Sequence, residues 1–144
     1  MPLYFKKSNV TVKVNGYIKS RKKIGLVPTM GSLHDGHISL IKKAKQNNDV
    51  VWVSIFINPT QFNSSKDLIN YPKDLNKDIK LIKEISKDIN VFSPEECEMY
   101  NGNPKIKVYD FENLDNELEG KFRKNHFNGV ATIVSKLLSL FKPN

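Results

Sequence analysis

The chain has 144 residues, 39% of them hydrophobic and 26% charged, with one cysteine and a formal net charge of +8. These proportions exclude collagen-like, coiled-coil and disordered chains, and they fit one soluble domain that buries about 68–70% of the surface its unfolded form exposes. Cys97 alone forms no internal disulfide and no cysteine-rich metal site; the opening Met-Pro-Leu-Tyr-Phe-Lys-Lys has no apolar leader core, and the longest nearly apolar run, 50–57, falls far short of the ~20 residues that cross a bilayer. A cytoplasmic protein with no membrane partner is the expectation.

The positive charge is unevenly placed. Residues 1–48 carry ten Lys/Arg against one acid, Asp35, whereas residues 49–144 carry 13 against 14. A local positive field of this kind draws nucleotides as well as nucleic acid. The chain is also rich in Lys, Asn and Ile throughout, with 21, 16 and 13 of each. A coding bias would produce that composition, so most of the lysines read as solvated surface, and no nucleic-acid partner is expected.

No internal repeat or low-complexity linker divides the chain. Val14, Tyr17, Ile18 and Arg21 recur at helical spacing with Gly25 beyond, which predicts a helix over 10–22. Ile24 to Thr29 predicts a short buried strand and Gly31 to Gly36 a turn. From His37 to Asn47, Ile38, Ile41 and Ala44 face inward while Lys42, Lys43 and Lys45 face out. Val50 to Ile57, β-branched and aromatic on both faces, predicts a central parallel strand covered on both sides. A polar loop through Pro72 follows, then a helix over 73–87 with Leu75, Ile79, Ile82 and Ile85 on one face, then a strand over 89–92. This order predicts right-handed βαβ units in a parallel α/β sheet. Residues 94–104 read as a loop, 105–111 as alternating extended chain, and 112–123 as a short helix or turn. An apolar helical stripe runs from Phe127 to Phe141. The flank of that stripe and an unpaired sheet edge predict self-association or an exposed apolar patch.

The most informative stretch is Pro28-Thr29-Met30-Gly31-Ser32-Leu33-His34-Asp35-Gly36-His37, between a strand and its crossover helix. Ligands of parallel sheets bind at the carboxyl ends of strands, and a helix N-terminus offers unpaired N–H groups to phosphate. Gly31 and Gly36 permit close backbone approach, and two imidazoles three residues apart converge on one side. Such a pair can donate to a triphosphate and stabilise charge growing at an attacked phosphorus. The plainer alternative is a pair of capping or core histidines. Neither a Walker lysine loop nor a Gly-x-Gly-x-x-Gly turn is present, and no His-Glu-x-x-His or comparable set supports a protein-held metal.

These residues carry a resemblance. Pro28-Thr29-Met30-Gly31 with His34-Asp35-Gly36-His37, then Ser54 to Phe62 with Asn58-Pro59-Thr60-Gln61, Tyr71-Pro72, Glu119-Gly120, Arg123, His126-Phe127 and Gly129-Val130-Ala131-Thr132, resemble the pantothenate synthetase (pantoate-beta-alanine ligase) family in order and spacing. The resemblance implies a Rossmann-like fold of the His-x-Gly-His nucleotidyltransferase type. It implies Mg2+ and ATP, with pantoate adenylated and then condensed with β-alanine, and a homodimer. By motif position, Met30, Gly31, Ser32, Leu33, His34, Asp35, Gly36 and His37 form the ATP-binding segment, His34 and His37 being catalytic and His37 a proton donor. Gln61, Met30 and Asn58 take pantoate and β-alanine, and Arg123 and His126 are further candidates. Each has an alternative: Asn58 and Gln61 as satisfiers of loop backbone, Met30 as core filler, and Arg123 and His126 as partners of nearby acids or caps of the last helix. The resemblance also implies one domain over residues 1–144 corresponding to the N-terminal half of the family, without its C-terminal lid, and incomplete for catalysis by itself. Two other readings stand beside this one: another His-x-Gly-His adenylyltransferase, and an inactive basic binding module.

Overall fold

The computed structural model describes residues 2–59, 62, 65–100 and 126–144. Among them are the strands β1 (Leu3–Tyr4), β2 (Ile24–Thr29), β3 (Val50–Ile55) and β4 (Asn90–Phe92), and the helices α1 (Lys7–Lys19), α2 (Asp35–Asn47), α3 (Ser65–Asn70), α4 (Leu75–Ile85), α5 (Glu96–Tyr100) and α6 (His126–Phe141). The four strands form one sheet in the order β1-β4-β3-β2, and every pairing is parallel.

The side-chain alternation of β3 creates two cores. Val51, Val53 and Ile55 point to one face, where they meet Ile41 of α2 and Ile82 of α4; Trp52 and Phe56 point to the other, where they meet Val10 and Val14 of α1 and Ile133, Leu137 and Phe141 of α6. A strand buried on both faces reads as a continuous apolar run because both layers draw on it. This is the expected Rossmann-like arrangement, with helices on both sides of a parallel sheet.

Three local features differ from the sequence-based expectations. Helix α1 starts and ends three residues earlier than periodicity predicts, and Glu98 of α5 accepts its first-turn Lys7 N–H at 3.1 Å. That cap comes from 91 residues away, beyond the reach of local spacing. β1 has no counterpart among the expected elements; two residues of strand have no pattern of their own and exist by pairing with Val91 and Phe92 of β4. Short helices α3 and α5 occupy stretches that read as loops. The readings for 105–111 and 112–123 lie outside the described residues. The α6 stripe is largely covered: Ile133, Leu137 and Phe141 are buried, whereas Leu138 remains 49% exposed. At the start of β2, Ile24 exchanges hydrogen bonds with Asn144, donating its N–H to Oδ1 at 2.7 Å and accepting the Asn144 N–H at 3.0 Å.

Candidate active site

β2 ends at Thr29, and the chain must turn sharply to start α2 six residues later. The Thr29 hydroxyl organises this turn, donating to the Ser54 carbonyl at 2.9 Å and accepting the Gly31 N–H at 3.1 Å. Gly31 then takes φ +81° and Ser32 φ +53°. A Cβ on Gly31 would sit 3.1 Å from both Asp78 Oδ2 and Ile55 Cγ2, so glycine answers a steric as well as a conformational demand.

His34 is the N-cap of α2, and its Nδ1 accepts the Gly36 N–H at 3.0 Å. His37 returns the contact, its Nδ1 accepting the His34 N–H at 3.1 Å, and the two ring centroids lie 4.0 Å apart. This is a capping box made of imidazoles. A nitrogen that accepts an amide proton carries none itself, so in each neutral ring the proton is on Nε2. Both Nε2–H groups are therefore donors left over from the cap, at a helix N-terminus that already favours negative charge. Burial lowers the pKa of His37, the neighbouring His34 lowers it further, and Asp78 acts in the opposite direction. A Cβ on Gly36 would meet His34 Cε1 at 2.8 Å, so a side chain there would push the capping imidazole aside.

The floor of the turn comes from an unexpected residue. Asp78 lies on the inner face of α4, 3% exposed, and its Oδ2 and Oδ1 accept the Ser32 and Leu33 N–H groups, each at 2.9 Å. Tracing the stripe Leu75, Ile79, Ile82 along the sequence passes over it. An acid three residues after Leu75 and four before Ile82, on the apolar face, is the signal that would have found it.

Two cavities open at the carboxyl ends of the strands, with Met30 lining both. One, of about 260 Å3, is walled by Phe56, Tyr71, Val130, Ile133, Val134 and Leu137 and bordered by Thr29 and His37. The other, of about 360 Å3, lies beyond Gly31 and Ser32 toward Asp74, Asp78 and Glu95. The turn thus brings Met30, His34 and His37 together. Asn58 lies beneath: it is fully buried, donates Nδ2–H to the Gly129 carbonyl at 3.0 Å and accepts the Tyr100 hydroxyl at 2.6 Å. Ser32, His34, Asp35 and Gly36 are exposed, and Leu33 is buried against the sheet. Gln61 and Arg123 lie outside the described residues, as does the side chain of His126, whose backbone opens α6.

A parallel sheet sandwiched by helices, with the turn from β2 to α2 built beside an apolar cavity at the strand ends, defines a Rossmann-like α/β domain. Residues 4–144 match the family model for pantoate-beta-alanine ligase. The chain belongs to that family. It is 46% identical over 141 residues to a pantothenate synthetase of Christiangramia forsetii, covering 97% of this chain and 50% of the relative, and 50% identical over 130 residues to one of Francisella tularensis subsp. novicida, covering 90% and 49%. Among solved structures, it superposes on a pantoate-beta-alanine ligase from Francisella tularensis, complexed with beta-gamma ATP and beta-alanine, with a TM-score of 0.93 at 46% identity, covering 100% of this chain and 54% of that one. A pantothenate synthetase from Thermus thermophilus gives 0.88 at 36% identity, covering 99% and 50%. The chain spans about half the length of the relatives it matches.

Proposed function

We propose that the chain is the nucleotide- and pantoate-binding part of an ATP-dependent pantoate-beta-alanine ligase. A pantoate carboxylate oxygen attacks the α-phosphorus of ATP and pyrophosphate leaves; the β-alanine amine then attacks the pantoyl-adenylate carbonyl, AMP leaves, and the new amide is pantothenate. The observation that carries this reading is the position of His37, which borders an apolar cavity of about 260 Å3 while belonging to the capping box at the N-terminus of α2. A small branched acid seated against Val130, Ile133, Val134 and Leu137 brings its carboxylate toward the imidazole pair.

In this reading Met30 to His37 hold the nucleotide. The Nε2–H groups of His34 and His37 donate to phosphate oxygens, and they match charge that grows as the α-phosphorus is attacked. His37 is the proton donor. Gln61 binds pantoate through an amide that both donates and accepts, Met30 lines the same cavity, and Asn58 holds the pocket's framework through Gly129 and Tyr100. Arg123 and His126 are further candidate contacts for the ligands. Mg2+ enters with the ATP phosphates; among the described residues no group of three or more His, Cys, Asp or Glu side chains could hold a metal ion without them. A cytoplasmic homodimer is the assembly this reading implies.

The test is pyrophosphate release from Mg-ATP, assayed with pantoate and with other small carboxylic acids, the C-terminal half of a Francisella relative being supplied alongside the chain. Pantoate-dependent release, slowed ~10²-fold or more by His37→Ala, is expected. Release that depends on a different acid would assign another adenylyltransferase. Absence of ATP binding together with steeply salt-dependent affinity for nucleic acid would favour the basic binding module.

A further inference from the structure

A carboxylate buried on the apolar face of a helix is costly unless something on the inside needs it. Asp78 is 3% exposed, and among the described residues the ion pair is Lys45 with Asp88, so no lysine or arginine there neutralises it. Its oxygens instead receive two consecutive backbone N–H groups, those of Ser32 and Leu33, from 46 and 45 residues away. Those amides are presented by two successive left-handed residues, Gly31 and Ser32. A non-glycine residue in that conformation persists when its surroundings hold it there.

The residue type follows from the donors. Two N–H groups converging on one side chain need an acceptor at both positions. A carboxylate offers two, whereas an asparagine offers one and turns an NH2 donor against the other amide. The location also matters. Ser32 and Leu33 lead directly into the His34 N-cap, so whatever fixes them fixes where the imidazole capping box sits. The same carboxylate occupies the Ser32 and Leu33 amides from the α4 side, where it would repel a phosphate. That leaves the imidazole side as the electrostatically open approach.

We infer that Asp78 is a positioning residue: through the Ser32 and Leu33 amides it locks the turn that holds His34 and His37, and it confines a bound phosphate chain to the imidazole side. The ligand in this statement rests on the nucleotide reading above; the anchoring of the turn does not.

Amide hydrogen exchange by NMR on the wild-type chain and on Asp78→Asn, with Mg-ATP titrated into both, tests it. In the wild type the Ser32 and Leu33 amides, although in a loop, are expected to exchange ~10²-fold more slowly than unprotected amides. In Asp78→Asn both should speed up by ~10-fold or more, with Val53 and Ile82 unchanged, and Mg-ATP should bind ~10-fold more weakly. His37 should titrate at lower pH in the variant, because the charge that raises its pKa is gone; that shift reports the lost charge, and the two amides and the Mg-ATP affinity report the lost anchor. Unprotected exchange at Ser32 and Leu33 in the wild type would overturn the inference with no variant needed. A folded Asp78→Asn with unchanged exchange, His37 titration and ATP affinity would overturn it too. If the exchange and titration respond as stated but Mg-ATP perturbs no residue of the wild-type turn, the anchor stands and the nucleotide reading falls.

Discussion

Helices α2 and α4 flank the same face of the sheet, but they begin in chemically opposite ways. α4 starts with an ordinary N-cap, the Asp74 carboxylate accepting the Lys77 N–H at 3.1 Å. α2 starts with an imidazole in that role, although histidine is not among the strongly preferred N-caps, which are Ser, Thr, Asp and Asn. A carboxylate cap satisfies the helix end and leaves negative charge outside it. An imidazole cap satisfies the same end and leaves an N–H donor. Under the proposed function, that difference suits one helix N-terminus to an anion and the other not.

The sharpest way to break this comparison is to exchange the caps. His34→Asp keeps a good cap, so the melting midpoint should hold or rise, while Mg-ATP affinity should fall ~10²-fold or more from like-charge repulsion; calorimetry on the chain reads both. Retained ATP binding would mean that the cap's chemistry is irrelevant. Gly31→Ala comes next. It places a Cβ at φ +81° and 3.1 Å from Asp78 Oδ2 and Ile55 Cγ2, and it should cost about 1–2 kcal/mol in urea unfolding. ATP binding should weaken as well, because the turn must shift.

Asp74→Ala sharpens the comparison from the other side. Loss of an ordinary cap should cost about 1 kcal/mol and leave ATP affinity unaltered; a loss of affinity larger than the loss of stability would give α4 a ligand role. The smallest effect concerns pH. The folded-state pKa of His37 lies below its ordinary value of 6.5, so the unfolded chain takes up this proton first. Its contribution to stability is complete above pH 6.5, is lost as the pH falls toward the folded-state pKa, and is constant below it. Thermal unfolding between pH 5 and 8 should therefore slope less steeply in His37→Ala than in the wild type; equal slopes would show that the imidazole is not perturbed.

Much of the candidate site is legible in the sequence because it is local. The Ile24 to Thr29 run, the two glycines and the two histidines lie within fourteen consecutive residues, and a strand-to-helix turn needs no distant partner to be recognised. Asn58 is legible as a loop residue at a strand end, but its engagement by Tyr100 and Gly129, 42 and 71 residues away, is not. Asp78 is hidden for a similar reason. On a helical stripe an acid looks like an interruption until the Ser32 and Leu33 amides are seen above it.

The sequence by itself determined the layered α/β plan, the crossover turn and the family, because periodicity, turn chemistry and motif spacing are properties of neighbouring residues. Tertiary structure alone decided the pairing of β1, the Glu98 cap on α1, the partners of Asn58 and the carboxylate beneath the turn. Each of these depends on which polar group meets which across a long stretch of chain. Such pairings follow from packing two cores against one sheet, and spacing along the chain does not encode them.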